Sequence, residues 1–127
     1  MGALLENTEA ASEVGEKRHV LRVQHRMRLL FSARRKGRLE GVLRDLSEGG
    51  AYLAAREKLF LETEVLLFLP LSIYDRNKLI ILPGKIVRSE SSASGQGFGY
   101  GIAFISPSSE MIRHLQRFLN IQNKNER

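Results

Sequence analysis

The stretch RLEGVLRDLSEGGAYLA, residues 38–54, sets two alternating apolar runs on either side of a short polar knot. Arg38–Leu46 reads as one strand and Ala51–Ala54 as a shorter one, because successive side chains of a strand point to opposite faces. The knot between them, DLSEGG at residues 45–50, is built of the Asp, Ser and Gly residues that reverse a chain. The whole is therefore a β-hairpin, with Leu46 expected to point inward while Asp45 and Ser47 point the other way.

Working outward, the same period continues. From His25, Met27, Leu29 and Phe31 fall on one side of a strand that RRKG (34–37) turns. EVLLFLPL (64–71) is nearly all apolar and too short for a typical helix, which predicts a strand buried on both faces, with Pro70 near its end or at a sheet edge. Lys78–Glu90 reads as a long, bent strand interrupted around PGK (83–85), and SSASGQG (91–97) as a loop. In GFGYGIAF (97–104), Phe98, Tyr100, Ile102 and Phe104 alternate with Gly97, Gly99, Gly101 and Ala103. One face fills a core, and the other leaves room for a close neighbour, a helix in preference to a flat ligand.

SPSSEMIRHLQRFLN (106–120) predicts a closing helix with Ser106 as N-cap and Pro107 at the first helical position. Its apolar stripe is Met111, Leu115, Phe118 and Leu119. Six or so short strands followed by one helix make the chain all-β dominated, a six-stranded antiparallel barrel with a C-terminal α-helix.

With 127 residues, 43% hydrophobic and 27% charged, the chain has the size and composition of one globular domain, and no apolar run reaches the length of a membrane span. It contains no cysteine, which excludes disulfides, thiolate metal sites and a cysteine nucleophile. Nothing in the opening residues reads as a secretory signal, so a cytoplasmic location is expected. The net charge of +6 is unevenly spread. Residues 1–16 carry Glu6, Glu9, Glu13 and Glu16 with no base and read as an acidic flexible tail. Residues 17–44 carry ten bases against Glu40 alone, which suits an anionic partner.

Motifs for catalysis are missing. His19, His25 and His114 lack ligand spacing, no serine stands in a nucleophile-elbow context, and neither a phosphate-binding P-loop nor a dinucleotide fingerprint occurs. The reading is a binding module, not an enzyme, with no metal and no cofactor. Two pieces remain: Arg18 and Arg22 in R-x-x-x-R, and Asp45, Ser47 and Gly50 in D-x-S-x-x-G. An arginine offers a planar charged fork that pairs with phosphate or with the O6 and N7 edge of guanine. A carboxylate suits the N1–H and N2–H₂ edge of guanine, and a serine hydroxyl adds a donor or acceptor. Gly49 and Gly50 are expected to permit positive φ and to leave backbone N–H groups uncovered. Taken alone, the knot reads first as a turn whose Asp and Ser bond their own backbone, ahead of a ligand site.

The pair RHVLR (18–22) and DLSEGG (45–50), followed by GKIVR (84–88), YGIAF (100–104) and a helix, resembles the PilZ domain family. The resemblance covers residues 17–120 and implies a six-stranded barrel that binds the second messenger cyclic di-GMP. It implies that Arg18 and Arg22, on an arm at residues 17–23, hold the guanines and phosphates of the ligand, and that Asp45, Ser47 and Gly50 meet it from the barrel. Lys17, Gly49 and Arg88 are further ligand-binding candidates, and residues 121–127 form a C-terminal tail. The expected role is a stand-alone receptor whose arm orders over the ligand and changes the surface offered to a downstream protein partner. No membrane association is expected, and the state is a monomer or a ligand-dependent dimer. The competing readings are a basic barrel binding single-stranded nucleic acid and a ligand-free interaction adaptor.

Overall fold

The computed structural model describes residues 22–23, 26–73, 77–92 and 95–125. Seven strands and one helix follow in order: β1 (Arg22–Val23), β2 (Met27–Ala33), β3 (Gly37–Ser47), β4 (Gly50–Ala55), β5 (Glu64–Pro70), β6 (Leu79–Ser91), β7 (Phe98–Phe104) and α1 (Ser109–Asn125). All pairings are antiparallel, in the order β1-β3-β2-β5-β6-β7-β4, and β4 pairs back to β3. Strands β2 to β7 thus close into the expected six-stranded barrel, which leaves no open sheet edge along their paired lengths.

The short β1 lies on the same side of β3 as β2. Val23 pairs with Leu46 and Met27 with Leu43, so the arm runs into β2 with one residue more than its partner strand over that step. The barrel interior is filled by alternate residues, among them Phe31, Leu43, Leu53, Leu67, Leu82, Ile86 and Tyr100, all at most 1% exposed. Each such aliphatic side chain stabilises the fold by roughly 1.5–3 kcal/mol relative to exposure. Leu46 is completely buried, as its place between Asp45 and Ser47 predicts.

Helix α1 docks Leu115, Phe118 and Leu119 on this core, with Met111 and Ile121 packed beside them. Two polar contacts fix its seat at one end of the barrel. A ring nitrogen of His114 lies 3.1 Å from the Leu71 carbonyl, and Gln116 Nε2 donates to Glu48 Oε1 in the β3–β4 turn at 3.0 Å.

Several expectations are corrected. The β5 strand is buried on one face only: Val65, Leu67 and Leu69 point inward, while Leu66 is 41% exposed and Phe68 half-buried. A closed barrel has a single interior, and the helix covers an end of it rather than this outer face. The β6 strand is not interrupted at Pro83. The Pro83 carbonyl accepts from Ile105 N–H just beyond the end of β7, so the N–H that proline lacks falls where that ladder stops. The irregularity is a β-bulge between Ile86 and Arg88 instead. The helix cap is Ser108, not Ser106: Met111 N–H donates to Ser108 Oγ at 3.1 Å, and Ser106 stands at φ 42°, outside the helix. Helix α1 also runs on to Asn125, through residues read as part of a C-terminal tail.

Candidate functional site

Two β-bulges prepare the outer surface. Between the inward-facing Leu43 and Leu46, the register shift in β3 leaves Arg44 exposed and Asp45 half-buried, both turned away from the core. The β6 bulge does the same for Val87 and Arg88 after the buried Ile86. A bulge turns two neighbouring side chains outward where a regular strand would turn one.

The registers then align residues that lie far apart in sequence. Asp45 pairs with Tyr52, Tyr52 with Gly101, and Gly101 with Arg88, one row across β3, β4, β7 and β6. Because Gly101 has no side chain, Arg88 lies across it: a Cβ added there would sit 3.3 Å from Arg88 Cβ. The Arg88 guanidinium carbon stands over the Tyr52 ring, 5.6 Å from its centroid. The Tyr52 hydroxyl donates to Glu90 Oε2 at 2.6 Å. Burial, and then the hydrogen bond and charge of Glu90, raise the Tyr52 phenol above its ordinary value of 10.0, against the opposing pull of Arg88 and Arg44. The phenol is therefore neutral and a donor throughout the physiological range.

Tyr52 also answers the question posed by the bare face of β7. A Cβ on Gly99 would collide with the Tyr52 hydroxyl and ring, so the tyrosine itself is the close neighbour that the glycine admits. Neither the helix nor a ligand is needed to cover that spot, which corrects the expectation of helix packing.

The DLSEGG knot is a self-sufficient turn. Ser47 Oγ donates to the Gly50 carbonyl at 3.2 Å and accepts from Gly50 N–H at 3.3 Å, and Ser47 is 6% exposed. Gly50 is required by proximity, since a Cβ there would strike the Ile102 carbonyl oxygen on β7. Gly49 faces open space, and its carbonyl accepts from Phe104 N–H at 2.9 Å. Neither glycine has positive φ. Among the described residues the glycines that do are Gly37, Gly95 and Gly97. The knot closes through Ser47 and a close backbone approach, so left-handed geometry is not needed.

Of the candidates named from sequence, Asp45 and Arg88 share the outer row, and Arg22 is the ladder partner of Ser47 one step away. The backbone thus brings the second arginine of R-x-x-x-R onto D-x-S-x-x-G across 25 positions of sequence. Lys17 and Arg18 lie outside the described residues. Tyr52 and Glu90 escaped the sequence reading. The parity of the hairpin already set Tyr52 opposite in facing to Leu53, but its alignment with Asp45 and Arg88 depends on the two bulges.

The fold and the row define a class: a closed antiparallel barrel with a polar, arginine-bearing outer face beside an N-terminal arm. The chain belongs to the PilZ domain family, whose profile matches residues 16–120. Among solved structures it is similar to the Bacillus subtilis inhibitor of motility MotI/DgrA, with 12% identity and a TM-score of 0.73 over 87% of this chain and 53% of that one. The chain thus spans about half the length of that relative. It is similar also to the PilZ domain of YcgR from Escherichia coli with c-di-GMP, with 14% identity and a TM-score of 0.63 over 87% and 95% of the two chains. A third is the PilZ domain of CeSA from a cellulose-synthesizing bacterium, at 20% identity and a TM-score of 0.59 over 80% and 97%. No curated protein matches the chain. Among the described residues, no helix is long and apolar enough to cross a membrane, and no cluster of His, Asp and Glu could hold a metal ion.

Proposed function

We propose that this domain is a non-catalytic receptor for cyclic di-GMP, with the ligand held between the arm at residues 17–23 and the outer row of the barrel. Arg18 and Arg22 take the guanines and phosphates, Asp45 accepts from a guanine Watson–Crick edge, and Arg88 closes the far side of the row. Lys17 adds a charge to the arm. Ser47, Gly49 and Gly50 shape the turn that presents Asp45. The observation that supports the reading is the ladder pair Arg22–Ser47, in which the backbone of the second arginine of R-x-x-x-R runs beside D-x-S-x-x-G. Binding orders the arm, and the surface so created is what a downstream protein partner recognises. Charge-assisted hydrogen bonds contribute roughly 1.5–3 kcal/mol each. Loss of one arginine then weakens binding about tenfold to a hundredfold. Isothermal calorimetry with cyclic di-GMP on Arg18→Ala, Arg22→Ala and Asp45→Ala tests this, and unchanged affinity in all three overturns it.

The nucleic-acid reading requires aromatic platforms on an exposed sheet face. Phe31 and Tyr100 are buried, and Phe98 and Phe104 pack against the core. Of the aromatics on the outer sheet face, Tyr52 lies under the Arg88 guanidinium and Phe68 is half-buried on another strand, so the described residues offer no run of open platforms. Salt-dependent filter binding to single-stranded DNA and RNA should therefore show no affinity comparable to that for the dinucleotide.

A further inference from the structure

The outer row contains a device that the receptor reading does not use. A free arginine side chain samples many rotamers, and ordering it opposes binding. Arg88 is already placed in the ligand-free protein, with its stem across the bare Gly101 and its guanidinium over the Tyr52 ring. The ring in turn is held at two points: it rests on Gly99, where no Cβ would fit, and its hydroxyl is bonded to Glu90 at 2.6 Å. Glu90 follows Arg88 by two positions on the same strand, and its cross-strand partner is Gly99 itself. Ring, floor and tether therefore form a unit of three strands, none of which belongs to the arm. A guanidinium with an aromatic ring on one face keeps its other face free to stack on a flat base.

Resting on the receptor reading above, we propose that Tyr52 is a positioning residue that holds the Arg88 guanidinium as a flat cationic platform on which a guanine base of the ligand stacks. Tyr52 acts through Arg88, so its effect depends on Arg88 being present. The hydroxyl tethers the ring, and the ring aligns the arginine. The ring matters more than the hydroxyl, because Gly99 seats the ring even when the bond to Glu90 is lost.

The test uses the full chain and isothermal calorimetry with cyclic di-GMP, with thermal denaturation of each variant as a check of folding. Tyr52→Phe keeps affinity within about twofold of wild type, since the ring remains. Tyr52→Ala weakens binding about two- to fivefold, the range for an exposed cation–π contact. Tyr52→Leu does the same while keeping bulk, and replaces Tyr52→Ala if that variant is unstable. Arg88→Ala weakens binding about tenfold or more, and Tyr52→Leu/Arg88→Ala is no weaker than Arg88→Ala alone. In the ligand-free protein, the NMR resonance of Arg88 Nε–Hε shifts in Tyr52→Leu but not in Tyr52→Phe. Wild-type affinity in Tyr52→Leu, or losses that multiply in the double variant, overturn this proposal alone. A wild-type chain that does not bind cyclic di-GMP overturns the receptor reading and this proposal with it.

Discussion

Tyr52 and Tyr100 lie on opposite sides of strand β7, and what each hydroxyl serves differs completely. Tyr100 is 1% exposed, inside the barrel, where it donates to the Glu57 carbonyl at 2.7 Å and accepts from Leu59 N–H at 2.8 Å. It fastens the segment after β4 across the barrel interior, and its loss should be felt as stability. Tyr52 rests on the outer backbone of the same strand and bonds a side chain, Glu90, at the surface. Its loss should be felt at the outer row. A single strand thus separates a phenol inside the barrel from a phenol in the outer row, and the glycines of its outer face make the second one possible.

The largest expected effect tests the inner side. Tyr100→Phe leaves the Leu59 N–H without its partner and should destabilise by about 1–3 kcal/mol. Tyr100→Ala adds a cavity and should cost about 3–5 kcal/mol in urea denaturation. If Tyr100→Phe matched wild type, the contrast between the two phenols would collapse.

Next comes the contact that keeps β4 close to β7. Gly50→Ala places a Cβ against the Ile102 carbonyl, which is backbone and yields poorly, so a loss of about 1–3 kcal/mol is expected. Gly99→Ala, by contrast, has as its nearest neighbours the far-end atoms of the Tyr52 side chain, which can swing away. It should cost less than about 1 kcal/mol, because alanine also restricts the unfolded chain. The displaced phenol should then titrate closer to 10.0, read by ultraviolet absorbance.

The smallest effect is Tyr52→Phe, expected within about 0.5 kcal/mol of wild type in denaturation, as for other surface changes. Its signature lies in pH dependence. Both phenols are raised, each chiefly by burial; Glu90 adds to the rise for Tyr52, and for Tyr100 the Leu59 N–H opposes it. A raised phenol favours the protonated, folded form. Its contribution is complete below the ordinary value of 10.0 and is lost as pH climbs through the raised value. Stability should therefore fall above pH 10, and less steeply in Tyr52→Phe than in wild type.

Much of the barrel was legible because its code is local. Period-two alternation in Met27–Phe31, the turn residues of RRKG and DLSEGG, and the stripe Met111–Leu119 each carry their meaning within a few residues. Ser106 misled as a cap because Ser108 offers the same hydroxyl two residues later, and only the backbone angles choose between them. The strand at residues 64–70 misled because an apolar outer face reads like a buried one when the closure of the barrel is not yet in view.

The sequence by itself determined where most strands and the helix lie, most of the inward residues, the family, and the motifs R-x-x-x-R and D-x-S-x-x-G, since these rest on residue type and short spacing. Only the tertiary structure decided that Asp45, Tyr52, Gly101 and Arg88 form one row, and that Ser47 is occupied with its own turn. Cross-strand register and bulges are settled by the simultaneous closure of six strands around a shared core. No short window of sequence contains that constraint.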